Sequence, residues 1–523
     1  MSLKHRKKPT SDADLVEQTN ETDVVEKARG IFKSDKALLA LLVAFRLINA
    51  ALCRTWFVAD EYWQSLEVAH RMVFGYGYLT WEWKRAARGY THPLVFAALY
   101  KLLDMLGLDN PWTISMGPRV LQSLLAAVGD LYVFKLASSL FGAPVAPFAL
   151  LCNLFSWFTF YAITRTLSNS IETSLFPAVL LCWLKATQES DVQKIAWFTR
   201  LYLLLAAVTT VLRSTTALLW PVLIIAHLWR RWDSKWRVAF EVMLVGCLSL
   251  GLSMALDMYC YGRFVLVQWE FVRFNILEGH SALYGTHPWH WYFTECAPVI
   301  TFTLLPLFLL GVWYSSPTQR VFFYVGVWLL VSYSILGHKE LRYIMALLPI
   351  ASVYAGYFIH SIIQKGRPIL HGVVWMLLCA NVPMALYFSL VHQAGTTAVM
   401  EILRKEITPH SSVMFLMPCH STPFYSHIHQ NITMQFLECN PPINPDSKDI
   451  SKDFYASPLS WLASRYQDAS SLPSHLVMFN SLVEDINHFL DTRGYSEVAR
   501  VFHSHFPEDK RYGSHVLLFE RKS

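Results

Sequence analysis

The sequence predicts a polytopic α-helical membrane protein, and three observations carry that prediction. Hydrophobic residues make up 54% of the 523-residue chain and charged residues only 16%, both displaced from soluble-domain averages toward the membrane class. Mean hydropathy is +0.31. The apolar residues are also gathered into runs of the ~20 residues a helix needs to cross a bilayer. The net charge of +6 is too mild for nucleic-acid binding, and the basic residues cluster between the apolar runs.

Residues 1–35 are long, charged and rich in Ser, Thr and Asp, with KHRKK at 4–8. They predict a disordered cytosolic tail, not a cleavable signal. Apolar runs follow at 36–56, 118–140, 144–163, 170–187, 195–212, 214–230, 237–257, 295–314, 320–337, 342–362 and 369–391. A shorter run at 93–108 carries Lys101 and Asp104 and suits an amphipathic interfacial helix. Cytosolic loops carry Lys and Arg. Here those are the N-terminal tail, Lys185–Lys194, RRWDSKWR (230–237) and QKGR (364–367). With all of them inside, the count closes at about eleven spans, with the C-terminus on the opposite face, if 93–108 does not cross.

After residue 394 the pattern changes. SSVMFLMP, HLVMFNSL and HVLLFER read as strands, and AVMEILRKEI and VEDINHFLDTR as helices. Residues 395–523 are expected to form a small non-cytosolic α/β domain. NIT at 431–433 makes Asn431 a glycosylation acceptor on that face, whereas NET at 20–22 would stay unmodified in the cytosol. Cys419 and Cys439 could pair if the domain is lumenal. The spacing of Cys419, His420, His427, His429 and Cys439 fits no common zinc pattern.

On this topology the unusual ionisable residues collect at one face. They are Asp60, Glu61, Glu67 and His70 in the first outer loop, Arg165, Asn169 and Glu172 in TRTLSNSIET (164–173), Arg213, the loop YGTHPWHWYF (284–293), and GHKELRY (337–343). Charges at membrane depth are costly and usually functional. Asp60, Gln64, Glu67 and Arg71 are spaced to share one helical face. A carboxylate among aromatics at the membrane boundary is a candidate general base. Cations at helix mouths suit a phosphate, and Trp and Tyr platforms suit sugar faces. Together these describe an enzyme that takes a group from a phosphate-linked lipid and gives it to a polar acceptor. A transporter would place charges along the midplane of repeated halves, and no repeat is visible.

DEYWQSLEVAH, YGYLTWEW, TRTLSNSIET, YGTHPWHWYF and HKELRY together resemble the dolichol-phosphate-mannose-dependent mannosyltransferases of the endoplasmic reticulum, over nearly all of the chain after residue 36. PCHSTPFYSHIH (418–429) is similar to the branch of that family acting on GPI-anchor precursors. The resemblance implies a GT-C glycosyltransferase fold with a lumenal active site. It also implies transfer of an α-1,2-linked mannose from dolichyl phosphate mannose to the second mannose of a GPI precursor, with inversion. The family's first-loop acid corresponds to Asp60, the expected base, with Glu61 orienting base or acceptor. His338, Lys339 and Arg342, followed by Arg165 and Arg213, are the expected holders of the donor phosphate. Glu340 is expected to orient one of these cations, and Glu67, Glu172, Trp289 and His290 to orient substrate. No cofactor or metal is expected, since a phosphate held by cations already leaves well and no DxD triplet occurs in the outer loops. The expected partners are the two lipid-linked substrates. Ala59 stands where relatives tend to have Pro and Tyr343 where Phe is common; neither change removes a reactive group.

Overall fold

The structure is a computed structural model that describes residues 34–366, 368–441 and 449–522. The predicted N-terminal tail therefore lies, up to residue 33, outside the described residues. Each of the eleven apolar runs is helical. Among the described residues, five helices are long and apolar enough to cross a bilayer: Pro111–Phe141, Val192–Leu212, Trp232–Tyr261, Leu347–Gln364 and Ile369–Glu406. Tyr292–Thr301 and Leu304–Tyr314 pass together but bend by 105°. The other runs are short, interrupted or charged. Ser156 breaks 144–163 into Ala146–Phe155 and Trp157–Ala162, and Asp35–Leu52 carries Arg46. The chain is a multi-pass membrane protein whose spans are broken more often than hydropathy suggests.

Local chemistry sets the helix ends. Asn110 accepts hydrogen bonds from the backbone N–H of Trp112 and Thr113, and Asp191 does the same for Gln193 and Lys194, satisfying donors the helix itself leaves unpaired. Small residues let helices approach closely. A Cβ on Gly129 would lie 2.6 Å from the carbonyl oxygen of Ser174. Within the bundle Arg46 is fully buried and held by Asp130 at 2.7 and 2.8 Å, while Asn153 donates to the same carboxylate at 2.8 Å. Every charge in this cluster is paired, as a low-dielectric interior requires.

The stretch at 93–108 becomes the helix Thr91–Met105, with His92, Phe96 and Tyr100 buried and Leu102 and Met105 exposed. The C-terminal domain opens with the helix Gly395–Glu406 and contains a five-stranded sheet. Its strands are β1 (Ser412–Leu416), β2 (Thr433–Phe436), β3 (His475–Phe479), β4 (Tyr495–Phe502) and β5 (His515–Arg521), in the order β2-β1-β3-β5-β4. β1 runs parallel to β2 and β3, and β5 antiparallel to β3 and β4. Alternation divides the two faces. Val413, Phe415, Val477 and Leu518 pack toward Gly395–Glu406 and the first-loop helix. Met414, Leu416, Leu476, Met478 and Leu517 pack against Phe454, Leu462 and Ile486. β2 and β4 were not expected from the sequence; both carry exposed polar positions in place of the continuous apolar run that marks β1, β3 and β5.

Candidate active site

The first-loop helix carries a π turn at Tyr62–Leu66, in which the N–H of Glu67 reaches back to the carbonyl of Tyr62. The wider turn changes the helical phase. Asp60 and Gln64 consequently line a cavity of about 370 Å³, while Glu67 turns away from it. The four-residue face expected from regular α spacing is divided in two.

Opposite Asp60 lies the turn at 338–343. Arg342 donates to Glu340 through Nε at 2.6 Å and Nη2 at 2.7 Å, and its Nη1 lies 2.8 Å from Asp60 Oδ2. Glu340 also faces His338 Nε2 at 3.1 Å and accepts from the Tyr343 hydroxyl at 3.0 Å. His338 Nδ1 meets the carbonyl of Gly285 at 3.0 Å. Burial raises the proton affinity of Glu340, but Arg342 and His338 together outweigh it and hold the carboxyl well below its ordinary range. Burial pulls His338 down, and the hydrogen bonds to Glu340 and Gly285 more than reverse that. The turn is thus a charged frame in which one carboxylate fixes a guanidinium and an imidazole.

Arg213 reaches the same cavity from the end of Val192–Leu212. It is paired with Glu172 at 2.6 Å and lies over the Tyr343 ring at 5.1 Å. Arg88 closes the ring of cations, 3.0 Å from Glu82 and 3.8 Å from Asp60. Its loop is fixed where the N–H of Tyr90 donates to Asp257 at 2.8 Å. Three guanidiniums and an imidazole from three separate turns therefore surround the space before one carboxylate.

Several expected site residues do not reach that space. Glu61 is fully buried between Arg119 at 3.1 Å and Arg165 at 2.9 Å. Arg165 spends its remaining donors on Tyr161, Thr55 and the Thr55 backbone. Both residues brace the backbone under Asp60. Lys339 donates to the carbonyls of His287 and Leu336, on the side of the turn away from the cavity. Trp289 and His290 are exposed; their rings contact each other at 5.7 Å, and His290 Nδ1 meets the Thr294 hydroxyl. Glu172 acts on Arg213, behind the wall. Arg88, Gln64, Asn169 and Tyr284 were not singled out as ligands to a substrate, yet they line the cavity. The basic run WKRAARGY (83–90) was the available signal for Arg88.

Glu67 instead joins the C-terminal domain, accepting from the N–H groups of Phe424 (2.9 Å) and Ser426 and from the Ser426 hydroxyl (2.6 Å). Burial pushes its carboxyl up to about 7, against those hydrogen bonds. Trp63 Nε1 donates to Thr422 at 2.9 Å, and His70 Nε2 meets His429 Nδ1 at 2.9 Å. Burial, reinforced by His429, pulls His70 down to about 3; burial, reinforced by Arg119 and Arg404, does the same to His427 (about 3), and burial pulls His420 down to about 4. Cys419 and Cys439 form a disulfide with Cα atoms 5.9 Å apart. His420 lies beside that disulfide, and these three form the one metal-like grouping of His, Cys, Asp and Glu among the described residues. The two sulfurs are consumed by the bond, so they do not fit as thiolate ligands.

A model of the Alg9-like mannosyltransferase family matches residues 37–429. The chain belongs to the Alg9-like mannosyltransferase family. It is 40% identical over 493 residues to the GPI alpha-1,2-mannosyltransferase 3 of Bos taurus, covering 93% of this chain and 89% of that one. It is 38% identical to the mannosyltransferase APTG1 of Arabidopsis thaliana, with 99% of both chains covered, and 37% identical to the GPI mannosyltransferase 3 of Yarrowia lipolytica, with 92% and 96% covered. Among solved structures, ArnT of Cupriavidus metallidurans bound to undecaprenyl phosphate superposes with a TM-score of 0.61 at 12% identity, covering 92% of this chain and 97% of that one. The fold is that of the GT-C glycosyltransferases. As a member of the Alg9-like family the protein is a membrane mannosyltransferase, and its relatives make it an α-1,2-mannosyltransferase.

Proposed function

We infer that this mannosyltransferase adds the third mannose, α-1,2-linked, to the second mannose of a GPI-anchor precursor, from dolichyl phosphate mannose, at the lumenal face of the endoplasmic reticulum membrane. The observation that carries the chemistry is Asp60 facing Arg342 across a cavity ringed by cations. The relatives named for GPI mannose transfer support the acceptor, and the Cys419–Cys439 disulfide supports an oxidising compartment.

In the transfer, the acceptor 2-hydroxyl oxygen attacks the anomeric carbon as the bond from that carbon to the phosphate oxygen breaks. Asp60 accepts the hydroxyl proton, and the electron pair leaves on dolichyl phosphate. Attack from the face opposite the departing phosphate inverts a β donor to an α product. Arg342, His338, Arg213 and Arg88 are placed to stabilise the negative charge as it develops. Asp60 and Arg342 are ion-paired at 2.8 Å. A phosphate entering beside Arg342 competes for that guanidinium and frees the carboxylate to work as the base. Glu340 keeps Arg342 aimed throughout. The guanidiniums meet the electrostatic demand of the leaving group, so the reading calls for no metal.

The test supplies purified protein with dolichyl phosphate mannose and defined GPI intermediates bearing two or three mannoses. Transfer to the two-mannose acceptor, with release of the new mannose by an α-1,2-mannosidase, supports the reading. Transfer only to the three-mannose acceptor, or only to an N-glycan precursor, overturns the acceptor assignment and leaves the chemistry standing.

A further inference from the structure

A second cavity, of about 220 Å³, opens between the C-terminal sheet and the first outer loop. It is smaller than the ~300–1,000 Å³ of pockets for drug-sized ligands, a size suited to one ring. Its walls are amphipathic. Tyr78, Phe436 and Trp461 supply aromatic surface, and Gln435, Glu438 and Arg465 supply polar groups. Arg465 donates to Gln435 Oε1 at 3.0 Å and lies over the Trp461 ring at 5.1 Å. Apolar C–H faces of a pyranose pack on aromatic rings while its hydroxyls need both donors and acceptors. A carboxylate, an amide and a guanidinium at the rim of an aromatic pocket meet both needs.

The position links this cavity to the reaction. Tyr78 packs on Trp63 at 6.0 Å and on Phe436 at 4.9 Å, and Trp63 precedes Gln64, which lines the catalytic cavity. Glu82, another lining residue of that cavity, is four positions from Tyr78, a chain distance of at most ~14 Å. His420 is packed on Trp63 and Phe436 and feels Glu82 and Asp60, which line the catalytic cavity, and Glu438, which lines the second one. One aromatic partition therefore separates the two cavities.

We propose that this second cavity is a sugar subsite that holds a pyranose of the acceptor glycan beyond its two mannoses, and so selects acceptors by length. The proposal rests on the acceptor reading given under Proposed function. It is tested with Trp461→Ala, Trp461→Phe and Glu438→Gln, comparing the complete two-mannose glycolipid with a short alkyl dimannoside. Trp461→Ala is expected to raise KM for the complete glycolipid about tenfold, the loss of one stacked ring, with kcat, donor KM and dimannoside kinetics unchanged. Trp461→Phe is expected to restore most of the KM, and Glu438→Gln to raise it as well. Equal effects on both acceptors, or none on either, would overturn the subsite. A change in donor KM would mark a general folding defect, and then Glu438→Gln, at the rim, decides by the same comparison. If the wild-type protein uses neither acceptor, the acceptor reading itself fails, an outcome distinct from failure of the subsite.

Discussion

Arg342 Nη1 lies 2.8 Å from Asp60 Oδ2, joining the first outer loop to the turn that follows the span Val321–Ser334. The remaining nitrogens of that guanidinium are held by Glu340. The contact brings the expected base and the expected phosphate cradle to opposite walls of one cavity, and the predictions below start from it.

Asp60→Asn and Asp60→Ala should lower turnover ~10²–10⁴-fold, the usual contribution of a general base, with expression and thermal stability near wild type because the side chain is part-exposed. Turnover assays on purified variants check this. Wild-type turnover in either variant would show that Asp60 is not the base.

Arg342→Lys should lose ~10²-fold in kcat, although it keeps the charge. Lysine cannot span Asp60 and Glu340 together with a planar fork. Glu340→Gln should weaken activity in the same direction by releasing Arg342. Lys339→Met should affect stability more than kcat, since Lys339 faces backbone carbonyls and not the cavity. Steady-state kinetics on the three variants distinguish them.

The junction of the C-terminal domain should be sensitive to pH in both directions. His70, His420 and His427 have folded values depressed below 6.5. The stability they carry is present above that value and lost as pH falls toward 4. Glu67 has a folded value raised to about 7 from 4.5, so its contribution is present below 4.5 and lost as pH rises through 7. His429, itself beside Asp109, faces His70; Arg119 and Arg404 face His427; and Glu82, Asp60 and Glu438 face His420. The midpoint of thermal unfolding in detergent should therefore peak near pH 6.5. Glu67→Gln should flatten the decline on the alkaline side and leave the acid side in place.

Much of this architecture was legible in the sequence because its signals are local. Eleven apolar runs became helices, and the strands that are continuous apolar runs were found. The juxtaposition of DE in the first loop with HKELR was suggested only by their shared side of the membrane and by family resemblance. What escaped depended on phase and partner choice. A single π turn redirected Glu67 from the cavity to the C-terminal domain. Glu61 and Arg165 look like site residues when charge is read alone, but each finds a buried partner that absorbs it. Trp289 and His290 sit in a suggestive motif and still point outward. Spacing does not reveal whether a charge is already paired.

Reduction of Cys419–Cys439, or Cys419→Ser with Cys439→Ser, should destabilise the C-terminal domain by about 3 kcal/mol for a closed loop of this size. The loss is expected as a lower unfolding midpoint, with residual activity at low temperature. Asn431, exposed just before β2, should carry a glycan if this domain is lumenal. Treatment with an amide-cleaving glycosidase should then shift the mass of the wild type and not of Asn431→Gln.

The most direct test is a structure of the protein with a non-transferable phosphonate analogue of dolichyl phosphate mannose. The account predicts the phosphonate within hydrogen-bond reach of Arg342, with His338, Arg213 or Arg88 beside it, and Asp60 released from Arg342 toward the acceptor side of the sugar. A phosphonate bound away from this ring of cations, or an Asp60–Arg342 pair unchanged with the donor in place, would contradict it.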